Sequence, residues 1–242
     1  MATVLISDLH LDDSRPQITA LFERLLASAQ VRAASALYIL GDLVEAWIGD
    51  DDDAELPGRI AAATRGVSES GVPVYFIAGN RDFLIGEAFA QRADMTLLDD
   101  GAVHDIEGCR TLLMHGDVLC TDDTAYQAVR RQVRQPQWQA QILAMPLQAR
   151  RAFAAKARED SRAHTGSTME TIMDVNDEAV AQAMRAAGVT RLIHGHTHRP
   201  AIHRFDLDGH MAERIVLGDW YEQGSLLRVT HEGVELAGLS TQ

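Results

Sequence analysis

The chain reads as an α/β protein in which two mixed β-sheets form a sandwich flanked by helices, with a long helical insertion. Three observations predict this. Short apolar runs rich in β-branched and aromatic residues recur along the chain, and each stops at a polar cluster, as buried strands do. Helical stretches separate several of these runs, which implies layered α/β packing. After Pro200 the pattern changes to longer strands joined by Asp-Gly and Glu-Gly turns, the signature of antiparallel pairing.

In chain order, TVLIS leads into Asp8-Leu9-His10, and the stretch from Gln17 to Ala34 predicts a helix. ALYIL leads into Gly41-Asp42, and Glu55 to Ser70 predicts a second helix. VPVYFIA leads into Gly79-Asn80-Arg81-Asp82, and RTLLM into His115-Gly116-Asp117. From about 121 to 187 the strand rhythm stops: Ala, Gln and Arg dominate, with Trp138, Leu143, Met145, Leu147 and Phe153 as the larger apolar residues. Pro136 and Pro146 should divide this insertion into short helices. Arg191-Leu192-Ile193 then runs into His194, His196 and His198, and AIHRFDLDG, MAERIVLG and SLLRVTHEGVELAGL complete the antiparallel part. Residues 1–242 form one domain carrying the insertion.

With 242 residues and 46% apolar composition, the chain can bury a full core. It has no apolar run long enough to span a bilayer, and its N-terminus reads as a strand, not a signal peptide. Cys109 and Cys120 lack a C-x-x-C spacing and read as reduced thiols, neither a good nucleophile. The net charge of −13 argues against general nucleic-acid binding. That charge is uneven: Thr124 to Arg158 has no acidic residue and carries +7, leaving −20 elsewhere. The run Asp50 to Asp53 reads as a solvated loop.

Three of the chain's ten histidines alternate in HGHTH, so in extended chain they share one side. Two readings fit: buried imidazoles satisfied by neighbours, or imidazoles converging on a metal. The test is whether other ligands reach the same sheet edge. In α/β sheets ligands bind at the carboxyl ends of strands. Five apolar runs end in Asp8, His10, Asp42, Asn80, His115, His196 and His198. These are nitrogen and oxygen donors, which suit Mn, Fe, Zn or Mg. Seven exceed what one ion with an open position needs. They suit two ions about 3.5–4 Å apart, bridged by a carboxylate, for which Asp42 is the natural choice. Two divalent ions against two carboxylates leave the site positive even with a hydroxide bound, so an anion such as a diphosphate is the fitting guest. Asp82 and Asp117 read as groups that orient ligands or cap turns, His194 as a buried hydrogen-bonded histidine, and Trp47 and Trp220 as core or rim aromatics.

The blocks DLHL, GD, GNRD, HGD and GHTH, in that order, resemble the calcineurin-like metallophosphoesterases. In detail, GDLVEAWIGDDD, GNRDFLIG, HGDVLCTDD, IMDVN and HGHTHRP resemble the UDP-2,3-diacylglucosamine diphosphatases of that superfamily, over essentially the whole chain. The resemblance implies the metallophosphoesterase sandwich with a helical lid. It implies two Mn2+ ions, one held by Asp8, His10, Asp42 and His198 and the other by Asp42, Asn80, His115 and His196. It implies hydrolysis of UDP-2,3-diacylglucosamine at the α-phosphorus to UMP and 2,3-diacylglucosamine 1-phosphate, a step of lipid A synthesis. The enzyme is then expected in the cytoplasm, peripherally on the inner membrane of a Gram-negative bacterium. Residue by residue it adds Asn80, Arg81, Asp123, Ser161, Thr165, Thr168 and His196 as substrate contacts, although some family members have Lys in place of Thr168.

Arg81 stands where many superfamily members have a histidine that protonates the leaving group. Arginine is no practical proton donor but grips phosphate oxygens bidentately. The expected leaving group therefore needs little protonation, as a phosphate monoester does. The insertion is expected to line a groove for acyl chains and to turn its basic face to anionic lipid. Its composition fits an ordinary amphipathic lid with a solvated arginine face equally well. A protein phosphatase, a cyclic-nucleotide phosphodiesterase, a nuclease and a metal-free binding module are the rival readings. Arg81 and the insertion oppose the first two, the charge opposes the third, and the complete ligand set opposes the last.

Overall fold

The computed structural model describes residues 2–167 and 174–241, with side chains described for all of these except 162–167. One sheet contains β1 (Thr3–Ile6), β2 (Ala36–Ile39), β3 (Val74–Ile77) and β4 (Thr96–Leu98), all parallel, followed outward from β1 by antiparallel β10 (Gly224–Thr230) and β11 (Gly233–Leu239). The other contains β5 (Ala102–Ile106), β6 (Cys109–Leu113), β7 (Arg191–His194), β8 (Ala201–Leu207) and β9 (His210–Val216), in the order β5-β6-β7-β9-β8. Here β6, β7 and β9 are parallel and the edge strands antiparallel. Both sheets are thus mixed, as expected.

The apolar runs are continuous because both strand faces are buried. In β1, Val4 and Ile6 pack under the helices while Leu5 points at the other sheet. In β2, Leu37 and Ile39 face the helices, and Ala36 and Tyr38 the sandwich interior, where they meet Leu113, Ile193 and Ile215. Helices α1 (Pro16–Ala27), α3 (Glu55–Ser68) and α4 (Glu87–Ala93) cover the first sheet with Phe22, Ile60 and Phe89. Helix α8 (Asp177–Ala187) covers the second, setting Val180 and Met184 against Leu112 and Leu192.

The predicted helix over 17–34 divides at Ser28, whose extended backbone (ψ 152°) ends α1 and whose Oγ caps the short α2 (Ala29–Arg32). The strands β4 and β5 and helix α4 do not stand out in the sequence: β4 has three residues, and β5 is half polar.

The insertion holds α5 (Thr124–Val133), α6 (Pro136–Leu143) and α7 (Leu147–Ser167). Pro136 sits in the first turn of α6 and Pro146 just before α7, where a missing N–H leaves no bond unmade. Helix α7 runs for 21 residues, so it is not short. Helix α8, which the sequence reading includes in the insertion, packs on the second sheet as part of the sandwich.

The acidic run 50–53 is a loop with Asp51 and Asp53 exposed, but its carboxylates are engaged and not merely solvated. Asp50 accepts the backbone N–H of Gly86 and Phe89 at the start of α4 (3.0 and 2.9 Å), and the Trp47 indole N–H (3.1 Å). Asp51 takes both terminal nitrogens of Arg150 at 2.7 and 2.5 Å, and Asp52 and Asp53 both pair with Arg151. The run therefore fastens α7 to the sandwich. Arg150 is buried and also donates to the carbonyls of Ile48 (2.6 Å) and Met145 (2.9 Å), whereas Asp51 remains largely exposed. Arg150→Ala should therefore cost about 2 kcal/mol, since one buried and one part-buried carbonyl lose their donor, and lower Tm by about 4–8 °C. Asp51→Ala should cost well under half of that, as the exposed carboxylate is worth little. Thermal unfolding monitored by circular dichroism checks the ratio.

Burial, with Asp117 nearby, pushes the Cys120 thiol up to about 12, while Cys109 is half-buried. Iodoacetamide at pH 8 should label Cys109 in the native protein and spare Cys120 until it unfolds, as peptide mass mapping would show.

Candidate metal centre

The carboxyl ends of β1, β2, β3, β6 and β7 meet at one edge of the sandwich, and each delivers part of the predicted set. The backbone bends sharply to do so. Asp8, His10, Asp42, His196 and His198 all adopt left-handed φ, between 48° and 68°. Asp and His tolerate this region better than most residues, yet each instance costs about 1–3 kcal/mol, and such strain concentrates at functional sites. A web of hydrogen bonds imposes it. Asp8 N–H donates to Gly41 O (3.0 Å), His10 N–H to Asp42 O (2.9 Å), and His196 N–H to the Asp8 carboxylate (2.9 Å). Gly41 is obligatory: φ is +85°, and a Cβ there would lie 2.6 Å from the Gly79 backbone and from His115 Nδ1.

The side chains converge. His10 Nε2 and His198 Nε2 face each other at 3.3 Å, and His198 Nε2 is 3.3 Å from Asp8 Oδ1. Asn80 Oδ1 lies 2.9 Å from His115 Nε2 and 3.0 Å from His196 Nδ1. Asp42 stands between the two groups: its Oδ2 is 3.8 Å from His10 Nε2 and its Oδ1 3.7 Å from His115 Nε2. Donor atoms of Asp8, His10 and His198 lie within 4.8 Å of one another, as do those of Asp8, Asp42 and His115. Such clusters fit divalent cations: facing imidazole nitrogens and buried carboxylates need positive charge between them. His115 Nδ1 lies 2.9 Å from Leu40 O, which leaves Nε2 aimed at the centre.

The electrostatics agree. Burial would push His115 down, but Asp42, Asp8 and Asp117 outweigh it and lift the imidazole to about 9. Burial and the charge on His115 push His196 down to about 4, so it stays neutral. Burial opposes ionisation of Asp8, yet the hydrogen bond and charge of His198 hold its carboxyl well below the usual range. The buried carboxylates thus make the site favour positive charge, supplied by a proton on His115 when no cation is bound.

Among the predicted substrate contacts, Arg81 and Ser161 meet, Arg81 Nη2 lying 3.3 Å from Ser161 Oγ. Asp123 is buried as the N-cap of α5, accepting Tyr126 N–H at 2.9 Å. Thr165 lies on α7 with its side chain outside the described residues, and Thr168 falls outside them altogether. His194 is buried, with Nδ1 2.8 Å from Gly195 O, and burial pushes it down to about 3. Asp82 accepts Gly79 N–H and Leu43 N–H at 2.7 Å each, tying two ligand loops together, and burial beside Asp42 raises it to about 7. Trp47 and Trp220 are core residues. Sequence reading passed over Glu45, whose Oε2 is 3.3 Å from His10 Nδ1, and Tyr221, whose ring stacks on His10 at 5.0 Å. Neither has a spacing that marks it.

Beside Asn80 and Arg81 opens a cavity of about 480 Å³. Trp47, Ile48, Phe83, Trp138, Ile142 and Phe153 supply its apolar walls, so the insertion roofs it. The basic stripe of the insertion is mostly committed inward. Arg130 pairs with Asp100 and Asp117, Arg134 donates to the Ala78 and Gly79 carbonyls, and Arg158 lies 3.5 Å from Asp12. With Arg150 and Arg151 held by the acidic run, the basic face expected to meet lipid is largely neutralised within the protein.

The family model of the calcineurin-like phosphoesterases matches residues 1–200. A UDP-2,3-diacylglucosamine hydrolase of Xanthomonas axonopodis pv. citri (strain 306) is 56% identical over 99% of this chain and 100% of its own. The chain belongs to the calcineurin-like phosphoesterases, among the UDP-2,3-diacylglucosamine hydrolases. A relative of this phosphoesterase with the same name, from Stenotrophomonas maltophilia (strain K279a), is 53% identical over 100% of both chains. Among solved structures, a dimetal phosphatase from Danio rerio shares the fold with a TM-score of 0.52 at 13% identity, over 100% of this chain and 96% of that one. An archaeal phosphodiesterase aligns with a TM-score of 0.50 at 12% identity, over 99% of this chain and 100% of that one. At those identities the likeness concerns the phosphoesterase fold alone.

Proposed function

We propose that this hydrolase cleaves the diphosphate of UDP-2,3-diacylglucosamine by attack of water on the α-phosphorus, giving UMP and 2,3-diacylglucosamine 1-phosphate, a step towards lipid A. The observation that carries the reading is the apolar cavity opening directly beside Asn80 and Arg81, which joins a phosphate-cleaving edge to a space for acyl chains. The names of the relatives support the same substrate.

Asp8, His10, Asp42 and His198 would hold one divalent ion, and Asp42, Asn80, His115 and His196 the other, with Mn2+ the proposed metal. When bound, the pair lowers the pKa of a shared water and neutralises phosphate charge. The protein's own groups do the rest. Asp42 keeps the two halves at fixed separation. Arg81, whose Nε is buried without a hydrogen-bond partner among the described residues, is available to phosphate oxygens beside Asn80 and His196. In the reaction water gives up a proton to solvent as its oxygen bonds to the α-phosphorus, the bond to the bridging oxygen breaks, and the sugar phosphate leaves with that oxygen and its electron pair. A phosphate monoester needs little protonation, which suits an arginine at position 81. Ser161, in reach of Arg81, and Asp123, Thr165 and Thr168 complete the proposed substrate contacts.

No helix among the described residues is long and apolar enough to cross a membrane. Val129, Leu143 and Phe153, on α5, α6 and α7, are 55%, 41% and 44% exposed. We place the enzyme peripherally on the cytoplasmic face of a Gram-negative inner membrane, with this apolar rim and not the arginines as its lipid contact. The net charge of −13 and the inward-facing arginines argue against a nucleic-acid partner. The test is turnover of UDP-2,3-diacylglucosamine against UDP-glucosamine lacking acyl chains. The expected preference in kcat/KM is at least about 100-fold, because burying only a few methylenes of each chain is worth about 3 kcal/mol. Equal turnover rejects the lipid-specific reading.

A further inference from the structure

Helix α5 presents one face to the loops that carry half of the proposed centre. Tyr126, Gln127, Arg130 and Arg134 share that face at helical spacing. The Tyr126 hydroxyl and Arg130 Nε both donate to Asp117 Oδ2, at 2.7 and 2.8 Å, and Asp117 stands two residues beyond His115. Gln127 Nε2 donates to the carbonyls of Asp117 (2.8 Å) and Cys120 (3.1 Å). Arg130 Nη2 donates to Asp100 Oδ2 at 2.8 Å, and Asp100 Oδ1 accepts the backbone N–H of His115 at 3.0 Å. Arg134 Nη2 donates to Gly79 O at 2.9 Å and Ala78 O at 3.2 Å, immediately before Asn80.

The opposite half has other supports. Arg15 donates to the carbonyl of His10 and lies 4.9 Å over the ring of Tyr221. Tyr221 in turn stacks on His10, and Glu45 stands beside His10 Nδ1. None of the α5 contacts above reaches Asp8, His10 or His198.

We propose that Arg130 and Arg134 are positioning residues for one ion of the two, the one assigned to Asn80, His115 and His196. The first helix of the insertion is then a fixed wall of that half-site, not a cover that merely closes over substrate. The physical reason is specific. Arg130 is the cation shared by Asp100 and Asp117; without it these carboxylates repel, and the His115 loop between them must shift. Arg134 holds the peptide units that lead into Asn80. Groups one step behind a ligand set its orientation and are worth about 10–100-fold in metal affinity.

This inference rests on the two-ion reading, and the experiment separates the two. Protein stripped by chelation is titrated with Mn2+ by isothermal calorimetry, with electron paramagnetic resonance counting free ion and circular dichroism confirming the fold. The wild type should bind two ions. Arg130→Gln and Arg134→Gln should each keep one ion at wild-type affinity and weaken the other about 10–100-fold. In an Asn80→Ala background, where one ion remains, Arg130→Gln should leave its Kd unchanged. In a His10→Ala background it should weaken the remaining ion. Equal weakening of both ions, weakening of neither, or an effect in the Asn80→Ala background overturns the proposal. A wild type that binds fewer than two ions instead rejects the two-ion reading. Arg134→Gln, whose hydrogen bonds go to the Ala78 and Gly79 carbonyls and whose guanidinium is 3.8 Å from Asp117, carries the test by itself if Arg130→Gln does not fold.

Discussion

Asp42→Ala lowers kcat/KM for UDP-2,3-diacylglucosamine by at least about 1,000-fold, and bound metal falls with it. The carboxylate is buried, and its two oxygens face different halves of the centre, Oδ2 toward His10 and Oδ1 toward His115. Asp8 is the other carboxylate with donor atoms within 4.8 Å of both groups, but Asp42 is the one with a separate oxygen turned to each. Losing the proposed bridging carboxylate would remove several kcal/mol of charge stabilisation, and each 1.36 kcal/mol is tenfold in rate. Asp42 Oδ1 also accepts the backbone N–H of Arg81 at 2.9 Å, so alanine loosens that loop as well. Asp42→Asn separates the two effects. It keeps an acceptor for Arg81 and loses only the charge, and it should remain at least about 100-fold impaired. Steady-state kinetics with elemental analysis of each variant checks both.

Arg81→Ala should cost about 100- to 1,000-fold in kcat, the range seen when one preorganised donor to a developing anion is removed. Its guanidinium lies at the mouth of the cavity, and its backbone is already fixed by Asp42 and by the Trp47 N–H, which donates to Arg81 O at 2.9 Å. The loop should therefore survive the substitution. Arg81→Lys should recover only part, because a point charge cannot grip two oxygens. Arg81→His should be impaired on the diphosphate, as Lys is, yet gain activity on alkyl phosphodiesters, whose leaving group needs a proton. A wild type that cleaves alkyl phosphodiesters as fast as the diphosphate contradicts this role.

Much of the site was legible because its residues are set by strand ends. An apolar run followed by Asp, Asn or His marks the end of a buried strand, and parallel strands bring such ends to one edge. That logic picked out the seven side chains that converge at this edge, and Arg81 beside them. It could not find Glu45 or Tyr221, since their proximity to His10 depends on how loops fold back, which leaves no periodic trace. It misread Asp50 to Asp53 and the insertion's arginines in the same way. Each looked like a solvated charge run alone, and only tertiary packing places Arg150 and Arg151 against Asp51 to Asp53. The small elements β4, β5 and α4 escaped because three to seven residues carry too little pattern, whereas the left-handed Asp94 that ends α4 (φ 52°) is invisible in composition.

Turnover of UDP-2,3-diacylglucosamine after complete removal of divalent metal, followed by stepwise return of Mn2+, tests the central claim most directly. The stripped enzyme should be inactive, and rate should return only as the second equivalent per chain binds, with UMP as the nucleotide product. Full rate in the stripped enzyme, or full recovery with a single equivalent, would contradict a centre built from Asp8, His10, Asp42, Asn80, His115, His196 and His198 around two ions.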